Sequence, residues 1–149
     1  MHRHIFIQII GSLLIVLFTY AALSKLFDHA VFHAQLIKFP WIGSFAGLIA
    51  WLVPAMELIT VWLLFFPRTV FYGFIVALVL LVLFTAFLCF MLVFSPSLPC
   101  SCGGVIALLS WKQHIAFNCF FMLITIAGIR LLKQQKHETG SQQQEIGII

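Results

Sequence analysis

Four long runs of apolar residues dominate the sequence and decide which folds the chain can adopt. They cover about Ile5 to Ser24, Gly43 to Phe66, Val70 to Phe94 and Gln113 to Leu132. About 20 apolar residues in a helix cross the ~30 Å hydrocarbon core of a bilayer. Because lipid offers no hydrogen-bond partner to a bare peptide group, each run is predicted to be a transmembrane helix.

The composition agrees with this assignment. Hydrophobic residues make up 63% of the chain and charged residues only 8%, too little charge for the surface of a soluble domain. The net charge of +4 is therefore attributed to membrane topology and lipid headgroups, and not to a nucleic-acid partner. The sequence predicts an all-α integral membrane protein, with a bundle of four transmembrane helices in residues 1–132.

The N-terminal run has some features of a secretory signal, since Arg3 precedes it and Tyr20-Ala21-Ala22 ends it. The run is longer than a signal core and has no clear small-x-small cleavage site, so we interpret it as a permanent helix. The residues after the fourth run, 133–149, are polar and rich in glutamine. This segment is predicted to be a disordered cytoplasmic tail.

The positive charges predict the orientation. With four spans both termini lie on one side, together with Arg3, Arg68, Arg130, Lys133 and Lys136, whereas the other side has Lys25, Lys38 and Lys112. Because cytoplasmic loops carry the excess of Lys and Arg, the termini are predicted to be cytoplasmic. The chain is then a multi-pass protein of a bacterial inner (plasma) membrane, and its third loop faces the periplasm.

That third loop contains the segment PCSCGG, with Cys100 and Cys102 separated by one residue. A disulfide between them would close a very small ring, which makes the bond easy to reduce and of little use as a structural crosslink. Pro99, Gly103 and Gly104 favour a tight turn that leaves the sulfurs open to an attacking thiolate. The pair is therefore predicted to exchange electrons, as the catalytic cysteines of a thiol–disulfide protein.

Other interpretations of the cysteines stay open. The loop cysteines could be inert, or they could bind Zn²⁺ or Cu(I) with His114 or with His29 and His33. We rank the metal site below redox exchange, because C-x-C lacks the usual C-x-x-C spacing and no second pair completes the ligands. Cys89 and Cys119 lie inside predicted spans, where packing as small hydrophobic residues is favoured over an electron path between them.

Glu57 is the one acidic residue within a predicted span. It lies about nine residues from the inner end of its run, or ~14 Å along a helix. An ionised carboxylate at that depth must be paired, protonated or turned to the bundle interior, and it is either a proton-handling group or a polar contact between helices. No basic partner is evident at its level, whereas Ser12 and Thr125 are expected nearby.

Three further polar residues are candidates for supporting roles. Lys25 follows the first run, and we expect it to extend to the headgroups or to pair with Asp28 one turn away. His114 and Asn118 are spaced i,i+4 and share one helix face below the cysteine loop. Lys25 and His114 are candidates for lowering the pKa of the loop thiols, since a nearby cation has that effect.

These motifs together resemble a known family. The segments ALSKLFD, VPAME and PCSCGG, followed by W-x-x-H-x-x-x-N, occur here in the order and positions found in the MauE family of the wider DoxX-like group. The resemblance covers about residues 5–132. It implies a four-helix, redox-associated membrane protein implicated in methylamine utilisation, in which Cys100, Cys102, Lys25 and Glu57 are motif positions. It does not imply that methylamine is the substrate.

The sequence therefore predicts a membrane protein that exchanges thiol and disulfide with a periplasmic thioredoxin-like or disulfide-containing client. No cofactor is evident, and the candidate electron acceptor is a quinone or a second membrane thiol protein. A non-catalytic assembly factor and a metal-handling protein are the alternatives. Small residues such as Gly11, Gly47 and Gly128 are candidates for helix contacts in a homo-oligomer.

Overall fold

The computed structural model describes residues 2–38, 42–94 and 111–146, and all regular structure within them is helical. The elements are α1 (His2–Phe27), α2 (His29–Ile37), a 3₁₀ turn (Gly43–Phe45), α3 (Ala46–Phe65), α4 (Val70–Phe94) and α5 (Trp111–Ile146). In this part of the chain, four helices are long and apolar enough to cross a membrane: α1, α3, α4 and α5. The prediction of an all-α chain with four spanning helices is confirmed.

The spanning helices form a ring in which α1 contacts α3, α3 contacts α4, α4 contacts α5, and α5 closes on α1. One end of this bundle holds the start of α1 and the α3–α4 turn, and we call it the termini end. The opposite end holds α2 and the boundaries of the α4–α5 connection, and we call it the loop end. The N-terminal helix is a full member of the bundle, because Leu14, Phe18 and Ala22 of α1 are buried in it.

A threonine closes the turn between α3 and α4. The Thr69 hydroxyl lies 2.9 Å from the carbonyl oxygen of Leu63 and 3.3 Å from that of Phe66, and it can donate to either. These carbonyls belong to the end of α3, where backbone acceptors lose their helical partners. The hydroxyl thus takes over part of the hydrogen bonding that the helix can no longer supply.

Replacing Thr69 by Val is therefore expected to lower the free energy of unfolding by about 1 kcal/mol, the usual net value of one such hydrogen bond. Unfolding in mixed micelles with increasing SDS would measure the change. Thr69→Ser keeps the hydroxyl and is expected to stay close to the parent protein. Equal losses in the two variants would show that the methyl group, and not the hydrogen bond, matters at this turn.

Helix α2 continues α1 beyond a single interruption at Asp28, whose φ of −100° and ψ of 32° depart from helical values. It runs antiparallel to the start of α3. The His29 ring lies 4.6 Å from that of Trp51, and a methyl group on Gly43 would come within 2.9 Å of the Ile37 carbonyl oxygen. The chain after α1 therefore stays alongside α3 and does not leave the bundle at Ser24, where the apolar run ends.

The termini half of the bundle has a closely packed core centred on the buried ring of Phe74. The residues of this core are Ile7, Leu14, Phe18, Leu64, Phe74, Ala77, Leu80, Leu81 and Phe121. Gly11 of α1 and Gly128 of α5 both lie against the Phe74 ring. These two glycines are therefore used for packing within one chain, which corrects their assignment to an oligomer surface.

Helix α5 continues to Ile146, through most of the segment for which the sequence predicts disorder. Lys, Gln and Glu are good helix formers, so a helix can extend from the bundle through this polar stretch. Both the disordered tail and the domain boundary near residue 132 stay predictions.

Candidate functional site

A buried ion pair joins α1 to α3. The Lys25 ammonium lies 2.7 Å from Oε1 of Glu57, and the two side chains are only 4% and 0% exposed. Lys25 also donates to the carbonyl oxygen of Ala21 at 3.3 Å, and its Nζ lies 4.9 Å from the centre of the Phe84 ring. The cation is therefore surrounded by one carboxylate, one backbone carbonyl and one aromatic face.

This pair corrects two expectations from the sequence. Lys25 neither reaches the headgroups nor pairs with Asp28, and Glu57 has a basic partner after all. The physical reason is the path of α2: because the chain continues alongside α3 from His29 to Ile37, Lys25 does not mark the end of the bundle. Its level is that of the middle of α3, where Glu57 lies.

The neighbours that the sequence suggested for Glu57 are also different. Thr125 is buried, but its hydroxyl donates to the Phe121 carbonyl oxygen of its own helix at 2.6 Å, and Ser12 is exposed. Pro54 is buried in α3, which continues through it. Among the described residues, Oε2 of Glu57 has no hydrogen-bond partner although it is buried. A carboxylate oxygen in that state is a strong acceptor without a donor.

Glu57 and Lys25 line a cavity of about 220 Å³ in the half of the bundle nearer the loop end. All five helices contribute to its wall. Five phenylalanines form much of the lining: Phe18, Phe32, Phe84, Phe87 and Phe117. The sequence shows no interpretable pattern in its phenylalanines, and only the packing reveals that these five surround one space.

His114 and Asn118 complete the polar part of the cavity wall. They lie in the first two turns of α5, are 8% and 5% exposed, and line the same space as Lys25 and Glu57. Their i,i+4 spacing correctly predicts a shared helix face. The structure thus brings together, from three helices, the four supporting residues proposed from the sequence, and the remaining wall is almost entirely apolar.

The cysteines fall into two groups. Cys100 and Cys102 lie outside the described residues, so their predicted role is untested. Cys89 and Cys119 are free thiols, and Cys89 is exposed on the surface of α4. The two are therefore not joined to each other, and their assignment as small apolar packing residues stays a prediction.

His29 and His33, the two histidines of α2, lie four residues apart on one face of the helix. The rings of His29 and His33 stack with their centres 6.3 Å apart. Within the part of the chain that the structure describes, no group of three His, Cys, Asp or Glu side chains is arranged to hold a metal ion. The metal-handling alternative also needs Cys100 and Cys102, which lie outside that part.

Comparison with known proteins supports the assignment suggested by the motifs. No curated protein and no solved structure gives a significant match. The family model described as methylamine utilisation protein MauE matches residues 3–131. This range covers all or most of each of the four candidate membrane spans, and it contains every candidate site residue. The chain belongs to the MauE family, a family of membrane proteins associated with methylamine utilisation.

Proposed function

We propose that this protein exchanges thiol and disulfide with a client protein through Cys100 and Cys102. The observation that carries the proposal is the convergence of Lys25, Glu57, His114 and Asn118 on one buried cavity near the loop end. The segment with both cysteines joins α4 to α5 and ends just before the helix turn that contains His114. The two cysteines thus precede His114 in the chain by 14 and 12 residues.

The exchange follows ordinary thiol–disulfide chemistry. A thiolate of the client attacks one sulfur of the Cys100–Cys102 disulfide, and the other sulfur leaves as a thiolate, which gives a mixed disulfide. A second thiolate of the client then attacks the client's own sulfur in the mixed disulfide, so the client is released oxidised and the Cys100–Cys102 pair is left as a dithiol. In the opposite direction, one thiolate of the reduced pair attacks a client disulfide, and the other resolves the mixed disulfide, which releases the client reduced and re-forms the Cys100–Cys102 disulfide.

The orientation and location are part of the proposal. Because Lys25 is buried in the bundle, the positive residues near the loop end are Lys38 and Lys112. The excess of Lys and Arg at the termini end is then larger than when Lys25 is counted at the loop end, and this favours cytoplasmic termini. The cysteine segment then faces the periplasm of a bacterial inner membrane, where oxidising conditions allow disulfides to persist. The client is a thioredoxin-like or disulfide-containing periplasmic protein, and membership of the wider DoxX-like group fits the same function.

Trapping the mixed disulfide tests this proposal. In Cys102→Ser, or in Cys100→Ser, the mixed disulfide between the remaining cysteine and the client cannot be resolved by the neighbouring cysteine. A client adduct is therefore expected on a non-reducing gel, and reducing agents should cleave it. Mass spectrometry of the released protein would identify the client. The matched control is Cys119→Ser, a cysteine within the bundle, and it is expected to give no adduct.

A different result would change the class of the protein. If neither single variant forms an adduct, and if Cys100→Ser with Cys102→Ser still supports growth on methylamine in a host that needs this protein, thiol exchange is wrong. The protein would then be a non-catalytic assembly factor. A thiol pair that reacts with alkylating reagents only after chelation would instead indicate metal handling.

A further inference from the structure

The cavity has features that a packing defect does not have. It contains a buried ion pair, and Oε2 of Glu57 in its wall lacks a donor among the described residues. Buried polar atoms nearly always have a partner, because leaving one unpaired costs about 1–3 kcal/mol. The termini half of the same bundle is closely packed, so the chain is able to fill its interior. The space is therefore a candidate binding site.

Its chemistry restricts the ligand. A lining with five phenylalanines suits an apolar planar ring, and Lys25 with Glu57 places a hydrogen-bond donor and an acceptor side by side. A lipid acyl chain would leave Oε2 of Glu57 without a donor. A small amine cation would have to approach Glu57 beside the positive charge of Lys25, which like-charge repulsion disfavours.

The size and position of the cavity restrict the ligand further. About 220 Å³ is less than the ~300–1,000 Å³ of typical pockets for drug-sized ligands, so only a single ring head fits. Leu83 is part of the cavity wall and is also 60% exposed on the lipid-facing surface of α4. A ligand can therefore place its ring inside while a long apolar tail remains in the bilayer.

We propose that the cavity binds the ring of a membrane quinone, which exchanges two electrons with Cys100 and Cys102. This inference rests on the proposed function for its electron partner, but the site itself consists only of residues in α1 to α5. A quinone oxygen accepts from Lys25, and the hydroxyl of the quinol donates to Oε2 of Glu57. The Lys25–Glu57 ion pair thus offers a hydrogen-bond partner to both redox forms of the ring.

The overall reaction balances without another reactant. When the thiol pair is oxidised, two S–H bonds are lost and one S–S bond forms, which releases two electrons and two protons. The quinone takes up both electrons and both protons and becomes a quinol. In the opposite direction the quinol is oxidised and the disulfide is reduced, and the same groups bind both forms.

Binding of a short-chain benzoquinone tests the site. The full-length protein would be placed in lipid nanodiscs made without quinone, and the bound fraction would be measured by equilibrium dialysis. We expect saturable binding of one molecule per chain. Ala21→Phe, which puts a ring into the cavity, is expected to weaken binding at least tenfold. Leu23→Phe, on the exposed side of α1, is expected to bind like the parent protein.

Two controls make the result decisive. The variant Cys100→Ser with Cys102→Ser is expected to bind the quinone unchanged, so the site can fail or succeed independently of thiol exchange. Equal binding by Ala21→Phe and Leu23→Phe would show simple partition into the bilayer and would overturn the proposal. Saturable binding of methylammonium that excludes the benzoquinone would also overturn it.

Glu57→Gln provides a second test if Ala21→Phe does not fold. The amide keeps an oxygen for Lys25 but presents a donor where the carboxylate has an acceptor. The affinity for the reduced benzoquinol is therefore expected to fall about tenfold, and the affinity for the oxidised form is expected to change much less. Equal effects on the two redox forms would contradict the role given to Oε2.

Discussion

Replacing Lys25 by Met alone, or Glu57 by Leu alone, is expected to lower the free energy of unfolding by about 3–5 kcal/mol. Each change leaves one ionised group in an apolar interior without its counterion, and this is the usual cost of breaking a buried pair. The double variant removes both charges and keeps similar side-chain volumes. It is therefore expected to recover most of the lost stability while it loses electron exchange, since its cavity wall has no donor and acceptor at that point.

A double-mutant cycle in mixed micelles would measure the coupling between the two residues. Asp28→Asn is the control, because Asp28 is exposed and does not pair with Lys25, and its effect is expected to stay within about 0.5 kcal/mol. Additive losses from the two single variants would mean that the ion pair does not hold α1 to α3. Full activity in the stable double variant would mean that the pair serves the fold alone.

Gly128→Ala is expected to have the second large effect, a loss of about 2–3 kcal/mol. A methyl group at this position would lie 2.4 Å from the Phe74 ring. The ring is fully buried and has Gly11 on another side, so it has little room to move, and α4 and α5 must separate instead. The midpoint of unfolding in SDS, or the melting temperature in detergent, would record the loss.

Gly11→Ala is the matched control, because its methyl group would lie 4.0 Å from the same ring, at an ordinary contact distance. This variant is expected to be neutral or slightly stabilising. Adding Phe74→Leu to Gly128→Ala shortens the opposing side chain and is expected to restore part of the stability. If Gly128→Ala is as stable as Gly11→Ala, the close approach of α4 and α5 at Phe74 is wrong.

The spanning helices could be predicted from the sequence because membrane insertion depends on length and polarity, and both are visible in a single chain. The turn at Pro67 can be predicted in the same way, because proline and arginine separate the second apolar run from the third. The face shared by His114 and Asn118 also follows from helical spacing alone. These features require no knowledge of how one helix packs against another.

The Lys25–Glu57 pair could not be predicted in this way. The fall in hydropathy after Ser24 predicts that the first helix ends there, but the backbone continues through α1 and then as α2 after a one-residue interruption at Asp28. Because the chain continues as α2, Lys25 lies at the level of the middle of α3. Counting residues from the end of the apolar run places Lys25 near the membrane surface instead, because the count does not include α2. The sequence ALSKLFD followed by another apolar stretch was the available signal, because a helix can continue past one polar interruption.

The cavity could not be predicted from the sequence either, for a different reason. A void results from the shapes of side chains on five helices, and the phenylalanines that line it are spread from Phe18 to Phe117 without a regular interval. Single polar residues such as Lys25 and Asn118 could be proposed as candidates. Their convergence on one space depends on helix order and rotation, which no single motif specifies.

The redox state of Cys100 and Cys102 in intact cells is the most direct test of thiol–disulfide exchange by this pair. Thiols would be labelled with a membrane-impermeant alkylating reagent, with and without prior reduction, and the mass of the protein would be measured. We expect reduction to expose two additional thiols, and we expect this gain to disappear in Cys100→Ser with Cys102→Ser but to remain in Cys89→Ser with Cys119→Ser. Two thiols that are labelled equally with and without reduction, together with no client adduct in either single variant, would contradict it.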